Sequence, residues 1–300
     1  MTKLAEFITT GSPCLLDGAM GTQLALAGLE MGGQNCITNP AQVLAIHQQY
    51  AGVGCDIHLT NTLTMNRIYL ETHAIGVDVA EVNLAAARIA RSALLPGQFL
   101  LGDIGSTGEL LEPYGDQTTE QLYATFKEQA ELLYSGAVDG FLIETMIDLR
   151  EALCALRACR AVTPLPVLVT LSFQTSAAGG RTVMGDSTAE MAVELARAGA
   201  AAIGANCSDL DFAETAQILD IMRNQVDLPL IAQPNAGKPR IQDGRLVYDL
   251  TPAAFAAGIK LCLTAGATLV GGCCGTTPEH IRHVAELLKA DSRPDQRSFV

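Results

Sequence analysis

Short apolar runs alternate with longer amphipathic segments along the whole chain. The runs fall at 14–16, 57–59, 99–101, 140–143, 167–172, 201–204, 230–232 and 268–271. They show no polar alternation, so each predicts a strand buried on both faces, as parallel sheets require. Between them, apolar positions recur every three to four residues at 79–94, 119–134, 189–198 and 252–264, which predicts helices. Eight such strand–helix units over about 290 residues predict a single α/β domain, a (β/α)8 TIM barrel. A doubly wound open sheet is the alternative.

A weak internal repeat supports the barrel. Four predicted helices end in a small residue followed by glycine: Ala51-Gly52, Ser135-Gly136, Ala198-Gly199 and Ala265-Gly266. Glycine suits the left-handed conformation that often caps a helix. Eight residues beyond these glycines stand Thr60, Glu144, Cys207 and Cys274. These four are expected to end even-numbered strands at one height, on the rim where barrel enzymes gather their catalytic groups. The odd strands end in Asp17, Asp103, Ser172 and Asn235. One domain over 1–290 is expected, with 291–300 as an unstructured polar tail.

Composition narrows the function classes. Tryptophan is absent and aromatics are 5% of the chain, against an aromatic-rich all-β fold. The net charge of -13 offers no basic stripe to meet phosphates, which argues against a nucleic-acid partner. No run predicts a membrane span, and the N-terminal residues lack a signal-peptide pattern. A cytoplasmic location is expected, where the nine cysteines stay reduced. Cysteines at 14, 55, 154, 159 and 262 read as small buried apolar residues. Cys36 reads as part of a polar loop.

Cys207, Cys273 and Cys274 differ, because all three fall on predicted strand ends. Three thiols make a candidate metal site with an open fourth position, the pattern of catalytic rather than structural zinc. Adjacent strand residues point to opposite faces, so Cys273 and Cys274 can share a metal only if the chain leaves strand geometry. Gly271, Gly272 and Gly275 permit that. Phosphate binding is a rival for the same glycine-rich loop, but it gives the two cysteines no purpose. A Schiff-base aldolase fits poorly, since none of the five lysines ends a predicted strand. Asp17-Gly18-Ala19 begins a loop whose amides can approach a carboxylate, or is an ordinary turn. Glu144 follows a buried run and needs a cationic partner: a substrate ammonium, or Arg150 in a structural ion pair. Thr60, Asn61 and Asn235 add neutral hydrogen-bonding groups, or cap loops. Asn235 can also offer an oxygen to the metal. The five histidines suggest no general base.

Asp17-Gly18-Ala19-Met20-Gly21-Thr22, Thr60-Asn61-Thr62, Asn66-Arg67, Ile143-Glu144-Thr145, Ala205-Asn206-Cys207-Ser208, Pro234-Asn235-Ala236-Gly237 and the segment 271–280 resemble the homocysteine S-methyltransferase family. The resemblance runs in order along nearly the whole chain. It is nearest to the homocysteine-binding module of cobalamin-dependent methionine synthases. It implies one Zn2+ at the C-terminal ends of strands 6 and 8, held by Cys207, Cys273 and Cys274. Homocysteine would enter as the fourth ligand, as a thiolate, and leave as methionine. Glu144 takes the substrate amino group and the Asp17 loop the amino-acid end. The resemblance also leaves three donors open: a methylcobalamin-bearing corrinoid protein, which the first loop favours, S-methylmethionine, and betaine. Another small thiol as substrate, and a non-enzymatic zinc or corrinoid-partner protein, are the competing readings.

Overall fold

The computed structural model describes residues 2–242 and 245–291. Eight parallel strands form one sheet: β1 (Cys14–Leu15), β2 (Ile57–Leu59), β3 (Phe99–Ile104), β4 (Gly140–Met146), β5 (Val167–Leu171), β6 (Ala202–Asn206), β7 (Leu230–Gln233) and β8 (Ala267–Val270). Their spatial order follows the sequence, with β8 paired to β1. A bridge between Leu16 and Ile57 joins β1 to β2 and closes the barrel. The eight runs read from hydropathy are these eight strands, each within a few residues. The helices expected at 79–94, 119–134, 189–198 and 252–264 are Val79–Ala93, Thr119–Ser135, Thr188–Ala198 and Pro252–Thr264.

Unalternating strand hydrophobicity has a direct counterpart in two core layers. Cys14, Leu16, Ile57, Leu101, Leu142, Leu168, Ala202, Ile231 and Leu269 point into the barrel. Their strand neighbours, among them Leu15, Leu100, Phe141, Val169 and Ile203, pack outward under the helices. A short helix absent from the sequence reading, Lys3–Ile8, sends Leu4 and Ile8 into the inner layer. This leaves the opposite end of the barrel for chemistry.

The small-plus-glycine repeat is only half a capping signal. Gly199 (φ 90°) and Gly266 (φ 96°) adopt the left-handed conformation. Helix Pro40–Val53 instead runs through Gly52 and ends on Gly54 (φ 97°). After Gly136 it is Ala137 that turns left-handed, at φ 62°. Among the described residues no helix is long and apolar enough to cross a membrane. The expected tail lies, apart from Asp291, outside the described residues.

Candidate metal centre and substrate cavity

Cys207 follows β6 directly and adopts φ 46°, which turns its side chain out of strand alternation. Cys273 and Cys274 lie past the end of β8. The three sulfurs all fall within 4.8 Å of one another. Cys207 and Cys274 are 3.6 Å apart, sulfur to sulfur. A tetrahedral zinc with bonds of about 2.3 Å sets its sulfurs about 3.8 Å apart, so the cluster fits the ion. The protons are already unequally shared. Hydrogen bonds from Cys207 and Cys273 hold the Cys274 thiol down to about 3. Cys273 is pushed up by its contacts with Cys207 and Cys274.

The glycines around these cysteines work by different means. Gly275 alone uses a left-handed φ, 80°, and any Cβ there would strike the Tyr248 ring. Gly271 is needed because β1 is so close: a Cβ would stand 2.8 Å from Leu16 Cβ and 2.9 Å from the Asp17 carbonyl oxygen. Gly272 is similarly crowded by Thr276. The metal loop is then tied to the loop after β1. Gly272 N donates to Asp17 O (3.1 Å), Ala19 N to Thr276 Oγ1 (3.0 Å) and Gly275 N to Thr22 Oγ1 (3.1 Å).

A cavity of about 300 Å³ opens beside the cluster. Cys273, Cys274, Asp17, Asp103, Glu144 and Gln233 line it, and Asn61, Met31 and Tyr69 form part of its outer wall. Cys207 faces a neighbouring cleft with Ser172 and Val183. Glu144 reaches the cavity through a bulge. The register between β4 and β5 shifts between Ile143 and Met146, which places Glu144 and Thr145 where the regular ladder is interrupted. Arg150, the cation a structural ion pair would need, bonds Asp148 instead at 2.8 Å. Burial, then the charge of Cys274, raises the Glu144 carboxyl to about 7. Burial also raises Asp17 and Asp103 well above the usual carboxylate range, and Glu144 adds to both. Asp17 Oδ2 accepts from Leu59 N (3.0 Å), while Asp17 Oδ1 and Asp103 Oδ1 are buried without a protein partner.

Sequence expectations meet the cavity unevenly. Asp17, Gly18, Ala19, Thr60, Asn61 and Glu144 all line it. The Thr60 hydroxyl is committed to the frame, 2.6 Å from Thr62 Oγ1 and accepting from Asp103 N. Asn61 Nδ2 donates to Gly32 O (3.2 Å). Asn235 stands outside the cavity wall. Its Nδ2 donates to Ser208 O, and its Oδ1 is buried without a partner, an oxygen free for another ligand. Cys36 is buried in the short helix Asn35–Thr38, against Asn61, and not in a polar loop. Asp103 and Gln233 were not assigned a site role. Asp103 is legible in the sequence as a strand end, whereas no sequence signal marks Gln233.

A family model described as homocysteine S-methyltransferase matches residues 14–288. The chain is 31% identical, over 95% of its length, to a methionine synthase of Mycobacterium leprae, and spans 24% of that protein. The homocysteine methyltransferase MmuM of Escherichia coli, in its metallated form, superposes with a TM-score of 0.78 at 21% identity, covering 96% of this chain and 99% of that one. The carboxyl transferase domain of Rhizobium etli pyruvate carboxylase shares the barrel more distantly, with a TM-score of 0.57 at 15% identity over 97% of this chain and 49% of the other.

Proposed function

The chain belongs to the homocysteine S-methyltransferase family, and from that premise we propose that it methylates the thiol of homocysteine, with one zinc ion held by Cys207, Cys273 and Cys274. The observation that carries the reading is a cluster of three sulfurs, two of which line one cavity together with three buried carboxylates. When bound, zinc supplies the Lewis acidity that keeps a substrate thiol deprotonated near neutral pH.

The protein's own groups do the rest. An isolated carboxylate is costly to bury, and among the described residues no charged cation offsets Glu144, Asp17 and Asp103: His58, 3.8 Å from Asp17 Oδ2, is lowered to about 4 by burial and stays neutral near pH 7. An incoming ammonium removes that cost, so the cavity selects a thiol that carries an amino group. Glu144 accepts from that ammonium, with Asp103 and the free Asp17 Oδ1 beside it. The Gly18 amide lies on the same wall and suits the substrate carboxylate, Ala19 N being engaged by Thr276 Oγ1. Met20, Met31 and Leu63 shield the carbon chain from water. Transfer forms a sulfur–carbon bond as the donor–methyl bond breaks, and the electron pair of the broken bond stays with the donor. No general base on the protein is required.

As donor we propose a methylated corrinoid carried by a partner protein or module. Its support is the 31% identity to a methionine synthase of which this chain spans 24%. Exposed apolar residues stand on loops that follow the strands, at the cavity's end of the barrel: Met31, which lines the cavity, at 57%, Tyr114 at 71%, Val183 at 58% and Ile241 at 81% exposure. Such a rim suits a macromolecular surface better than a small donor. One barrel comprising the residues up to 290 is the unit proposed to bind substrate and metal.

The test combines metal analysis with donor comparison. Protein purified under reducing conditions should hold about one zinc per chain, and Cys207→Ala should lose it while the far-ultraviolet spectrum stays unchanged. Absence of tightly bound zinc in the reduced wild type would overturn the site. Methyl transfer to homocysteine is then measured in parallel from methylcobalamin, S-methylmethionine and betaine. Turnover with methylcobalamin alone is expected, and turnover only with one of the others would overturn the donor.

A further inference from the structure

Two residues beside the site hold a backbone conformation that non-glycine residues rarely adopt. Thr145, next to Glu144, has φ 61°, and Cys207 has φ 46°. Such a conformation is costly and persists only where its surroundings over-determine it. One side chain bears on both. Asn206 is the last residue of β6, 1% exposed, and directly precedes Cys207. Its Oδ1 accepts from Thr145 N at 3.0 Å, and its Nδ2 donates to Thr145 Oγ1 at 2.7 Å. The same Nδ2 stands 4.0 Å from the Cys273 sulfur. A backbone N–H can only donate, so the bond from Thr145 N fixes which end of the amide is oxygen. The nitrogen end must then face the hydroxyl and the sulfur.

We propose that Asn206 is a positioning residue that sets the separation between the ammonium site at Glu144 and the sulfur site at the three cysteines. It rests on the function proposed above. The two ends of an amino thiol are joined by a fixed number of bonds, so a cavity recognises it only if the two subsites keep that spacing. Glu144 sits on a bulge of β4, where the regular ladder does not hold its direction. The two bonds from Asn206 replace that missing constraint. Through its own backbone, and through Cys273, the same residue is attached to the metal ligands. The ammonium site and the sulfur site therefore move together with one side chain.

The test is a comparison of two thiols on the zinc-loaded protein by calorimetric titration: homocysteine, and 4-mercaptobutyrate, which lacks the amino group. The wild type should bind homocysteine more tightly. Asn206→Ala should weaken homocysteine about 10- to 100-fold, the loss expected when a hydrogen bond to a charged group is broken. It should change 4-mercaptobutyrate far less, and leave zinc content near one per chain. Asn206→Asp keeps both contacts to Thr145, because the hydroxyl can turn and donate, but places an acceptor beside Cys273. It should retain the preference for homocysteine while losing zinc more readily to a chromophoric chelator. Thr145→Val removes one contact and should lower the preference by a smaller factor, and it decides the matter if Asn206→Ala does not fold. Equal weakening of both thiols, or an undiminished preference in the variants, overturns the inference and leaves the function standing. A wild type with no preference for homocysteine overturns both.

Discussion

Glu144 lies deep in the wall of the cavity, with the Cys274 charge beside it, and its carboxyl is raised to about 7. A carboxyl whose folded value lies above its unfolded one, here 4.5, holds its proton more tightly in the native state. Its contribution to stability is full below about 4.5 and is lost as the pH rises through about 7. Raising the pH from 5 to 8 should therefore cost metal-free, reduced wild type more urea resistance, or gain it less, than it does Glu144→Gln, since the depressed Cys274 thiol acts in the opposite sense in both. A variant with the same pH slope as wild type would show that other groups govern it. Asp103→Asn should raise the KM for homocysteine with less effect on kcat, if its unpartnered oxygen meets the ammonium. Asp103 shows what a strand-end reading can and cannot reach. Position along the strand put it on the rim, but only its orphaned oxygen gives it a reason to matter. The strained φ of Thr145 and Cys207 left no mark in the sequence, since neither residue type signals it.

Elements were more legible than residues because burial on both faces writes itself into composition. A run such as Val167–Leu171 is buried at every position and cannot be mistaken for a half-exposed strand. Helix starts carry a signal that hydropathy alone does not use, in side chains that satisfy free amides. Thr118 and Gln121 form a capping box at Thr119–Ser135, and Asp211 and Glu214 another at Phe212–Arg223. Thr118→Ala should cost about 1 kcal/mol in denaturant unfolding. What the elements hid was their closeness. Gly204 lies opposite Ile231, where a Cβ would stand 2.0 Å from the Ile231 carbonyl oxygen. Gly204→Ala should force β6 from β7 and cost about 1–3 kcal/mol, a typical overpacking penalty. Because β6 delivers Cys207, zinc affinity should fall along with the unfolding midpoint. An unchanged metal affinity in that variant would mean the loop after β6 sets the ligand independently of the strand.

At the scale of the molecule, charge and chain order both carry consequences. A net charge of -13 creates a long-range field that favours a basic partner. With a corrinoid protein as donor, added salt should raise its KM, as screening shortens the reach of surface charge to about 10 Å at 0.1 M. Free methylcobalamin should show no such dependence, and an equal salt response from both donors would remove the electrostatic argument. The closure of the site follows a different logic, one of timing. Ala19 is bonded to Thr276, 257 positions away, and the loop after β8 completes the wall begun by the loop after β1. Synthesis runs from the first of these to the last. Asp17, Asp103, Glu144 and Cys207 thus leave the ribosome before the two remaining sulfurs exist. A nascent chain stalled ahead of Ala267 should carry most of the cavity's charge yet retain no zinc. At the proposed site, loading of the ion can follow only once the eighth strand is made, and it would report that the ring has closed.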